Sequence, residues 1–374
     1  MTSPNLAPFS HPGAHAWTTP EPIASARAFH RTLEGYRMSP LTELPTVAAE
    51  LGVGRVFLKD ESERLGLPAF KVLGASWAVA RSVAAYCGIG LENLSVDILR
   101  EALDGRPLTL VTATDGNHGR AISHMARLLG IHARIYTPLG VSAAALDGIR
   151  SEGAELIELD LTYDDVVRAA AESATGTATD LLIQDTSWPG YETVPRWIVE
   201  GYTTLFSELD EQLAAADAVP DVLVIPTGVG SLLQATIEYY RGVSRFRPAI
   251  VSVEPTSAAC VLESLHADEI RSVDTSAGTI MTGLCTGTTS EIAWPSIRNG
   301  LDAAVAIDDA PVRTAVGDLS KLGLDVGPCG AATLAGARTV YGNAELHSGL
   351  GIPNDAVVVL LSTEGLDANP LPHE

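Results

Sequence analysis

The sequence predicts an α/β protein in which mostly parallel sheets are flanked by helices. Along most of the chain, apolar runs of strand length alternate with segments of helical pattern, as is typical of parallel sheets covered on both faces. The alternation occurs in two series, separated by the segment 186–195, which contains two prolines and a tryptophan. We therefore expect two α/β domains, with the chain crossing between them at this segment.

Each predicted element follows from a local pattern. In the first series the apolar runs 55–59, 108–111, 133–136, 156–159 and 181–183 are predicted strands, and 71–85, 119–129, 142–151 and 163–173 are predicted helices. In the second series the predicted strands are 222–225, 250–253, 303–307 and 356–361, and the predicted helices are 196–213, 232–241, 257–265, 311–322 and 330–341. The Gly- and Thr-rich stretch 276–290 is predicted to be an irregular loop, of the kind that often borders a site.

Composition and charge exclude several classes of partner. The chain has 374 residues and is 46% hydrophobic, which is enough for a large buried core. The net charge of -22 and the pI near 4.7 argue against binding to nucleic acid or to an anionic membrane surface, since both need clustered Lys and Arg. No apolar run approaches the ~20 residues of a membrane-spanning helix. The N-terminus has no signal-peptide pattern, so we expect a cytoplasmic protein.

The cysteines give no sign of a metal site. Cys87, Cys260, Cys285 and Cys329 form no CxxC pair, so neither a zinc site nor a redox dithiol is predicted. Cys260 and Cys285 are the pair to check for a disulfide, although reduced thiols are the expected state in the cytoplasm.

The stretch 68–76 contains one lysine among apolar and small residues. Phe70, Val72 and Leu73 surround Lys71 in sequence and leave it little polar company. Burial disfavours the charged ammonium, so the pKa of Lys71 should fall and neutral amine should become available. A lysine that forms a Schiff base must be available as the neutral amine. The alternative is an ordinary lysine whose stem packs while its ammonium reaches water.

Polar clusters follow three predicted strands, at the edge where α/β sheets bind ligands. In the first, 112–119, Gly116 and Gly119 permit a tight turn and close approach of the backbone to a ligand. Asp115 is unusual in a turn that favours anions, which indicates a role in proton transfer. It could instead cap the following helix.

The second cluster, 226–231, is a glycine loop between a predicted strand and a predicted helix. Its backbone N–H groups would suit a phosphate. It is not a dinucleotide fingerprint, because Leu233 stands where the third glycine belongs, and it has no Lys-Ser/Thr pair of a P-loop. The third cluster, 361–365, follows the last strand, and its hydroxyl could serve a ring nitrogen or cap the strand.

A lysine, a phosphate loop, a Gly-Asn turn and a hydroxyl together match pyridoxal phosphate, which has an aldehyde, a phosphate, a 3'-oxygen and a pyridine nitrogen. The chain also resembles the fold-type II pyridoxal-phosphate enzymes, the tryptophan synthase β family. Within them it is most similar to the ammonia-lyases that act on 2,3-diaminopropionate. The similar segments are 59–62, 69–74, 112–120, 184–186, 190–191 and 362–365, and the resemblance extends from about 56 to 365.

The resemblance implies a cofactor role for each matching residue. Lys71 would hold the cofactor covalently, Phe70 would lie beside the ring and Asn117 would bond the 3'-oxygen. The phosphate would be held by Gly228, Val229, Gly230 and Ser231, and the pyridine nitrogen would face Ser362. A neutral hydroxyl there would leave that nitrogen largely unprotonated, which favours elimination over transamination.

The resemblance also implies a pair of acidic catalytic residues, Asp115 and Asp185. Lys71 would take the α-proton of one substrate enantiomer and Asp115 that of the other, while Asp185 would pair with the second ammonium group. The expected reaction is elimination of 2,3-diaminopropionate to pyruvate and ammonia. One segment departs from these ammonia-lyases: where they have Glu-Ser-Gly-Ala, this chain reads Gly-Pro-Cys-Gly-Ala at 327–331, closer to serine dehydratases. Cys329 is predicted either to pack at a helix start or to line the pocket edge.

The implied organisation is a large cofactor-binding domain, 1–80 with 190–374, and a small domain, 81–189, that carries the Asn117 loop. A homodimer is expected because the resembled family forms them. Three alternatives stay open at this stage: a serine or threonine dehydratase or β-replacement enzyme with the same cofactor; a nicotinamide-dependent dehydrogenase using the glycine loop; and a non-catalytic protein that only holds the cofactor.

Overall fold

The computed structural model describes residues 6–114 and 116–371. It confirms the predicted α/β class with two mostly parallel sheets flanked by helices. The strands are β1 Phe9–Ser10, β2 Leu41–Glu43, β3 Arg55–Asp60, β4 Thr109–Ala113, β5 His132–Pro138, β6 Glu155–Leu159, β7 Asp180–Leu182, β8 Val222–Pro226, β9 Ala249–Pro255, β10 Ala303–Ile307 and β11 Val357–Ser362.

Helices cover both sheets. They are α1 Arg27–His30, α2 Pro45–Leu51, α3 Lys71–Cys87, α4 Val96–Leu103, α5 Asn117–Leu129, α6 Ala143–Ser151, α7 Tyr163–Thr175, α8 Thr193–Ala215, α9 Ser231–Gly242, α10 Cys260–Ala267, α11 Trp294–Gly300, α12 Asp309–Lys321, α13 Pro328–Gly342 and α14 Ala344–Gly349. Every helix in the described part of the chain is too short or too polar to cross a membrane.

The larger sheet has seven strands in the order β1-β10-β9-β8-β11-β3-β2. Its inner strands are parallel, and only the edge strands β1 and β2 pair antiparallel with their neighbours. Val358 of β11 lies opposite both Val56 of β3 and Val222 of β8, and all three are fully buried. Because these strands are parallel and in register, their carboxyl ends lie side by side, which brings the glycine loop after β8 close to the residues after β11.

The smaller sheet has four parallel strands in the order β6-β5-β4-β7. Its central strand β4 leads directly into the loop that starts α5. Between the two sheets lies α3, which packs against α8 and α5. The crossing of α3 and α8 is close because Gly74 has no side chain: a Cβ there would meet Cε1 of Tyr202 at 2.6 Å. Lys71 therefore begins a helix that packs against both α8 and α5.

The long central elements match the predictions, and the differences lie at edges and helix starts. The sequence reading missed β1 and β2, which have two and three residues and lie at sheet edges. It also missed α1, α2, α4, α11 and α14, all of eight residues or fewer. The predicted helix 257–265 begins later, at Cys260, because 256–258 forms a separate 3-10 turn. The stretch 276–290 is irregular apart from one 3-10 turn, as predicted.

Candidate active site

A cavity lies between the two sheets, and the predicted site residues meet there. Eight of the ten line it: Phe70, Lys71, Asn117, Asp185, Gly228, Val229, Gly230 and Ser231. They come from four separate places in the fold, namely the starts of α3 and α5, the segment after β7 and the loop between β8 and α9. Asp115 lies outside the described residues. Ser362 is buried directly beneath the cavity wall, which at this point is formed by Thr363 and Glu364.

Lys71 and Asp185 form an ion pair in the cavity. Lys71 Nζ lies 2.6 Å from Asp185 Oδ2, and the two side chains are 22% and 5% exposed. Burial alone would raise the pKa of Asp185, but the positive charge of Lys71 and the nearby His118 lower it to about 2. Asp185 is therefore a carboxylate at neutral pH. The Lys71 ammonium also lies 5.8 Å from the centre of the Phe70 ring.

Asp185 is held in place by hydrogen bonds to its carboxylate and to its backbone carbonyl. Gln184 Nε2 donates to Asp185 Oδ1 at 3.2 Å, while Gln184 Oε1 accepts from Thr112 Oγ1 and from the Ala113 backbone N–H, both at 2.9 Å. The fixed amide oxygen forces the amide nitrogen toward Asp185. The Ser231 hydroxyl donates to the Asp185 carbonyl at 2.7 Å. Asp185 thus has one orientation, with Oδ2 toward Lys71.

His118 approaches the same carboxylate from α5. Its Nε2 lies 2.8 Å from the Ile183 carbonyl, which can only accept, so Nε2 carries the hydrogen. Its Nδ1 lies 4.0 Å from Asp185 Oδ2 and has no hydrogen-bond partner among the described residues. Burial lowers the pKa of His118, and Lys71 lowers it further, against the opposite effect of Asp185. The ring is therefore neutral at pH 7.

The glycine loop presents backbone to the cavity. Gly230 has φ +97°, a left-handed conformation that glycine adopts without strain, and α9 begins at the next residue. The first N–H groups of a helix have no partner within it. A Cβ on Gly228 would lie 3.2 Å from the Gly283 carbonyl, so there is little space for a side chain. A helix start whose preceding loop has little room for side chains suits an anion such as phosphate.

A family model described as "Pyridoxal-phosphate dependent enzyme" matches residues 32–364. The chain belongs to this family. The predicted cofactor, pyridoxal phosphate, and the predicted fold-type II class are confirmed with it.

Curated relatives and solved structures agree with this membership. The chain is 37% identical over 361 residues to a diaminopropionate ammonia-lyase of Salmonella typhimurium, covering 92% of this chain and 88% of that protein. It is 34% identical over 351 residues to one from Escherichia coli (strain K12), covering 91% and 87%. A crystal structure of the Escherichia coli enzyme in complex with D-serine matches with a TM-score of 0.86, at 31% identity, over 96% of this chain and 94% of that one.

The residues of this pyridoxal-phosphate enzyme fit the cofactor. The glycine loop suits its phosphate, and Lys71 lies across the same cavity with Asn117 beside it. Ser362 is fully buried, and its hydroxyl has no hydrogen-bond partner within 6–114 and 116–371. A buried hydroxyl without a partner is costly, so a ring nitrogen facing it would be favourable. The assignment of Ser362 to that nitrogen stays a prediction.

Several residues of the enzyme's cavity were missed from the sequence. Glu364 follows β11 and is 3% exposed, and Asn117 Nδ2 donates to its Oε2 at 2.7 Å. Burial raises the pKa of Glu364, against hydrogen bonds from Cys329, Asn369 and Asn117. Tyr202 of α8 lines the cavity with its ring 4.8 Å from that of Phe70. Burial raises the pKa of Tyr202, so it stays a neutral phenol.

The cysteines of the enzyme are in thiol form. Cys329 is in the first turn of α13 and also lines the cavity, so both of its predicted positions are correct. Cys260 is fully buried, and its thiol lies 3.8 Å from the Gly228 carbonyl, behind the glycine loop. Cys260 and Cys285 are not joined by a disulfide.

Proposed function

We propose that this enzyme converts 2,3-diaminopropionate and water to pyruvate and two molecules of ammonia. The observation that carries the proposal is the ionised Asp185 carboxylate, fixed in the cavity 2.6 Å from Lys71. When bound, pyridoxal phosphate supplies an electron sink for the negative charge that develops at the substrate α-carbon. The chain's own residues would move the α-proton and balance the charge of the substrate.

Asp185 selects for a second positive charge on the substrate. A buried carboxylate is costly without a cation, and Lys71 provides that cation in the structure. Once Lys71 is engaged by the cofactor, Asp185 Oδ2 needs another cationic partner. The second ammonium group of diaminopropionate provides one, whereas the hydroxyl of serine or threonine does not. Gln184 keeps the carboxylate turned toward this position.

Lys71 and Asp115 would act as bases on opposite faces of the substrate. Lys71 Nζ would take the α-proton of one enantiomer and then hold it, stabilised by Asp185. We assign the α-proton of the other enantiomer to Asp115, which lies outside the described residues. The D-serine complex of the Escherichia coli relative supports an active site that admits a D-amino acid.

Cofactor binding is assigned to the residues that surround the cavity. The phosphate would be held by Gly228, Val229, Gly230 and Ser231, and the 3'-oxygen by Asn117, with Phe70 beside the ring and Ser362 facing its nitrogen. The proposed domains are 1–80 with 190–374 and 81–189, which is supported by the position of β4 to β7, all within the second of these ranges. We also propose a cytoplasmic homodimer, to be checked by light scattering.

The test measures pyruvate release from D- and L-diaminopropionate, serine and threonine in parallel. We expect kcat/KM for a diaminopropionate enantiomer to exceed that for serine by at least about 100-fold, the value of one well-placed charge contact. Faster release from serine or threonine would instead indicate a dehydratase, the alternative suggested by the segment 327–331.

The Asp115→Asn variant tests the assignment of faces. It should reduce turnover of one enantiomer by about 100-fold or more, as expected for loss of a general base, and leave the other within a few-fold. Equal losses on both enantiomers would rule out a face-specific role for Asp115.

A further inference from the structure

Glu364 has no role in the chemistry described above, although its carboxyl group forms part of the cavity wall. Its donors include Asn117 Nδ2 to Oε2 at 2.7 Å, Asn369 Nδ2 to Oε1 at 3.1 Å and the Cys329 backbone N–H to Oε1 at 3.4 Å. The residue is 3% exposed. A buried carboxyl with three donors has a single stable orientation.

Glu364 determines which way the Asn117 amide faces. Oε1 of Glu364 accepts from two N–H groups, and an unprotonated Oε2 can only accept, so the nitrogen of the Asn117 amide, and not its oxygen, points toward Oε2. That nitrogen carries two hydrogens, and the bond to Oε2 uses one of them. The second hydrogen is left for a ligand in the cavity that Asn117 lines.

The larger sheet holds Glu364 rigidly. A Cβ on Gly327 would meet Glu364 Cγ at 2.8 Å, so the glycine leaves the space that the side chain occupies. Asn369 is 7% exposed and is itself fixed by the Ile280 carbonyl at 3.2 Å. Asn117, in contrast, begins α5 beside the smaller sheet. The Asn117–Glu364 hydrogen bond therefore connects the two sheets at the cavity.

We propose that Glu364 is a positioning residue that orients the Asn117 amide toward the 3'-oxygen of pyridoxal phosphate and ties the Asn117 loop to the larger sheet. The inference rests on the role proposed for Asn117. Glu364 acts only through Asn117, so its contribution to cofactor binding must disappear when the Asn117 side chain is removed.

A double-mutant cycle on cofactor affinity tests this directly. The apoprotein of the wild type, Glu364→Met, Asn117→Ala and the double variant is titrated with pyridoxal phosphate, and the Kd and the absorption maximum are measured. Methionine fills a similar volume but accepts no such hydrogen bond. We expect each single variant to raise the Kd by about 3- to 10-fold, the value of one hydrogen bond, and to shift the absorption maximum in the same direction. The double variant should be within about 2-fold of Asn117→Ala.

Two further variants complete the design. Asp302→Asn is the matched control, because Asp302 is another buried carboxyl, paired with Arg241, that does not line the cavity; its Kd should stay within about 2-fold of the wild type. Should Glu364→Met fail to fold, Gly327→Ala replaces it, because the added Cβ must displace the Glu364 side chain. Its effect on the Kd should also vanish in the Asn117→Ala background.

Multiplicative effects of the two substitutions on the Kd would overturn the proposal, as would an unchanged Kd in Asn117→Ala. The same preparations are assayed for pyruvate release from diaminopropionate. If the double variant has the Kd of Asn117→Ala but the wild type releases no pyruvate, the positioning role of Glu364 stands and the proposed substrate is rejected. If the wild type releases pyruvate but the two substitutions affect the Kd independently, the proposed substrate stands and the positioning role of Glu364 is rejected.

Discussion

Lys59 is fully buried and Lys71 is partly buried, and the charged surroundings of the two lysines differ. The chain has only one other lysine, Lys321. Lys59 Nζ donates to the Ser39 carbonyl and Gln212 Oε1, both at 2.8 Å, and to Glu208 Oε2 at 3.3 Å. These three bonds use all three of its hydrogens. Its network also contains Arg64 and Glu61, and the side chains of all four charged residues are at most 1% exposed.

Several buried polar atoms near Lys71 have no hydrogen-bond partner among the described residues, whereas all three hydrogens of Lys59 are used. Around the Lys71–Asp185 pair, four buried polar atoms have no hydrogen-bond partner among residues 6–114 and 116–371: His118 Nδ1, the Tyr202 hydroxyl, Ser362 Oγ and Thr363 Oγ1. Burial lowers the pKa of Lys59, despite the opposing charges of Glu61 and Glu208. Burial of a lysine therefore does not identify a reactive one. The two lysines differ because the unsatisfied groups near Lys71 include the Tyr202 and Thr363 side chains, which line the cavity.

The largest expected effect comes from Lys71→Ala. The variant should lose the visible absorbance of lysine-bound cofactor, and turnover should fall by at least about 1,000-fold, because both the covalent anchor and a base are removed. Reduction of the wild-type holoenzyme with borohydride, followed by mass spectrometry, should place the cofactor on the peptide that contains Lys71. Label on the Lys59 or Lys321 peptide would contradict the distinction between Lys59 and Lys71.

Lys59→Met should have the converse effect, on stability and not on chemistry. Removing the cation leaves Glu208 and Glu61 with one fewer partner in a closed network, and we expect the free energy of unfolding to fall by about 3 to 5 kcal/mol. Urea denaturation measures this value. Lys321→Met is the matched control, because that side chain is 77% exposed and should change stability by less than about 0.5 kcal/mol. A stable Lys59→Met protein without lysine-bound cofactor would reverse the assignment.

Asp185→Asn should separate charge selection from general damage to the site. The neutral amide keeps the shape but cannot balance a second ammonium group, so kcat/KM for diaminopropionate should fall by about 30- to 100-fold. The loss for serine should be at least about 10-fold smaller. Asp302→Asn is the control, since Asp302 is also buried and pairs with Arg241 at 2.5 Å but does not line the cavity. A similar change of selectivity in both variants would mean that Asp185 has no special role.

The central part of the fold was predictable because buried parallel strands are long apolar runs. The predicted strand 356–361 became the centre of the larger sheet, and the predicted helix from residue 71 runs to Cys87. The edge strands β1 and β2 were missed because two or three partly exposed residues give no period to detect. The earlier start of α13 had a signal, since Pro328 at the first helical turn is a favourable beginning.

The site residues that could be predicted are those whose role lies in a local motif. The glycine loop, Asn117 and Lys71 each belong to a recognisable stretch at a strand or helix end. Tyr202 belongs to none, because it reaches the cavity only through the close crossing of α3 and α8 at Gly74. Glu364 did have a signal in the sequence, since it belongs to the polar cluster 361–365 that follows the last predicted strand.

The smallest expected effect concerns pH and sharpens the contrast between the two lysines. The folded-state pKa of Asp185 is about 2, below its ordinary value of 3.8, so its contribution to stability is complete above about pH 4 and is lost as the pH falls through about 2. The difference in unfolding free energy between the wild-type apoprotein and Asp185→Asn should therefore decrease between pH 5 and pH 3, by roughly 1 kcal/mol. Urea denaturation at several pH values measures it. A difference that stays constant between pH 5 and pH 3 would contradict the lowered pKa of Asp185. Lys59→Met should show an acid dependence of its own: burial raises the pKa of Glu61, but Arg64 and Lys59 lower it overall, and the variant removes one of these two cations.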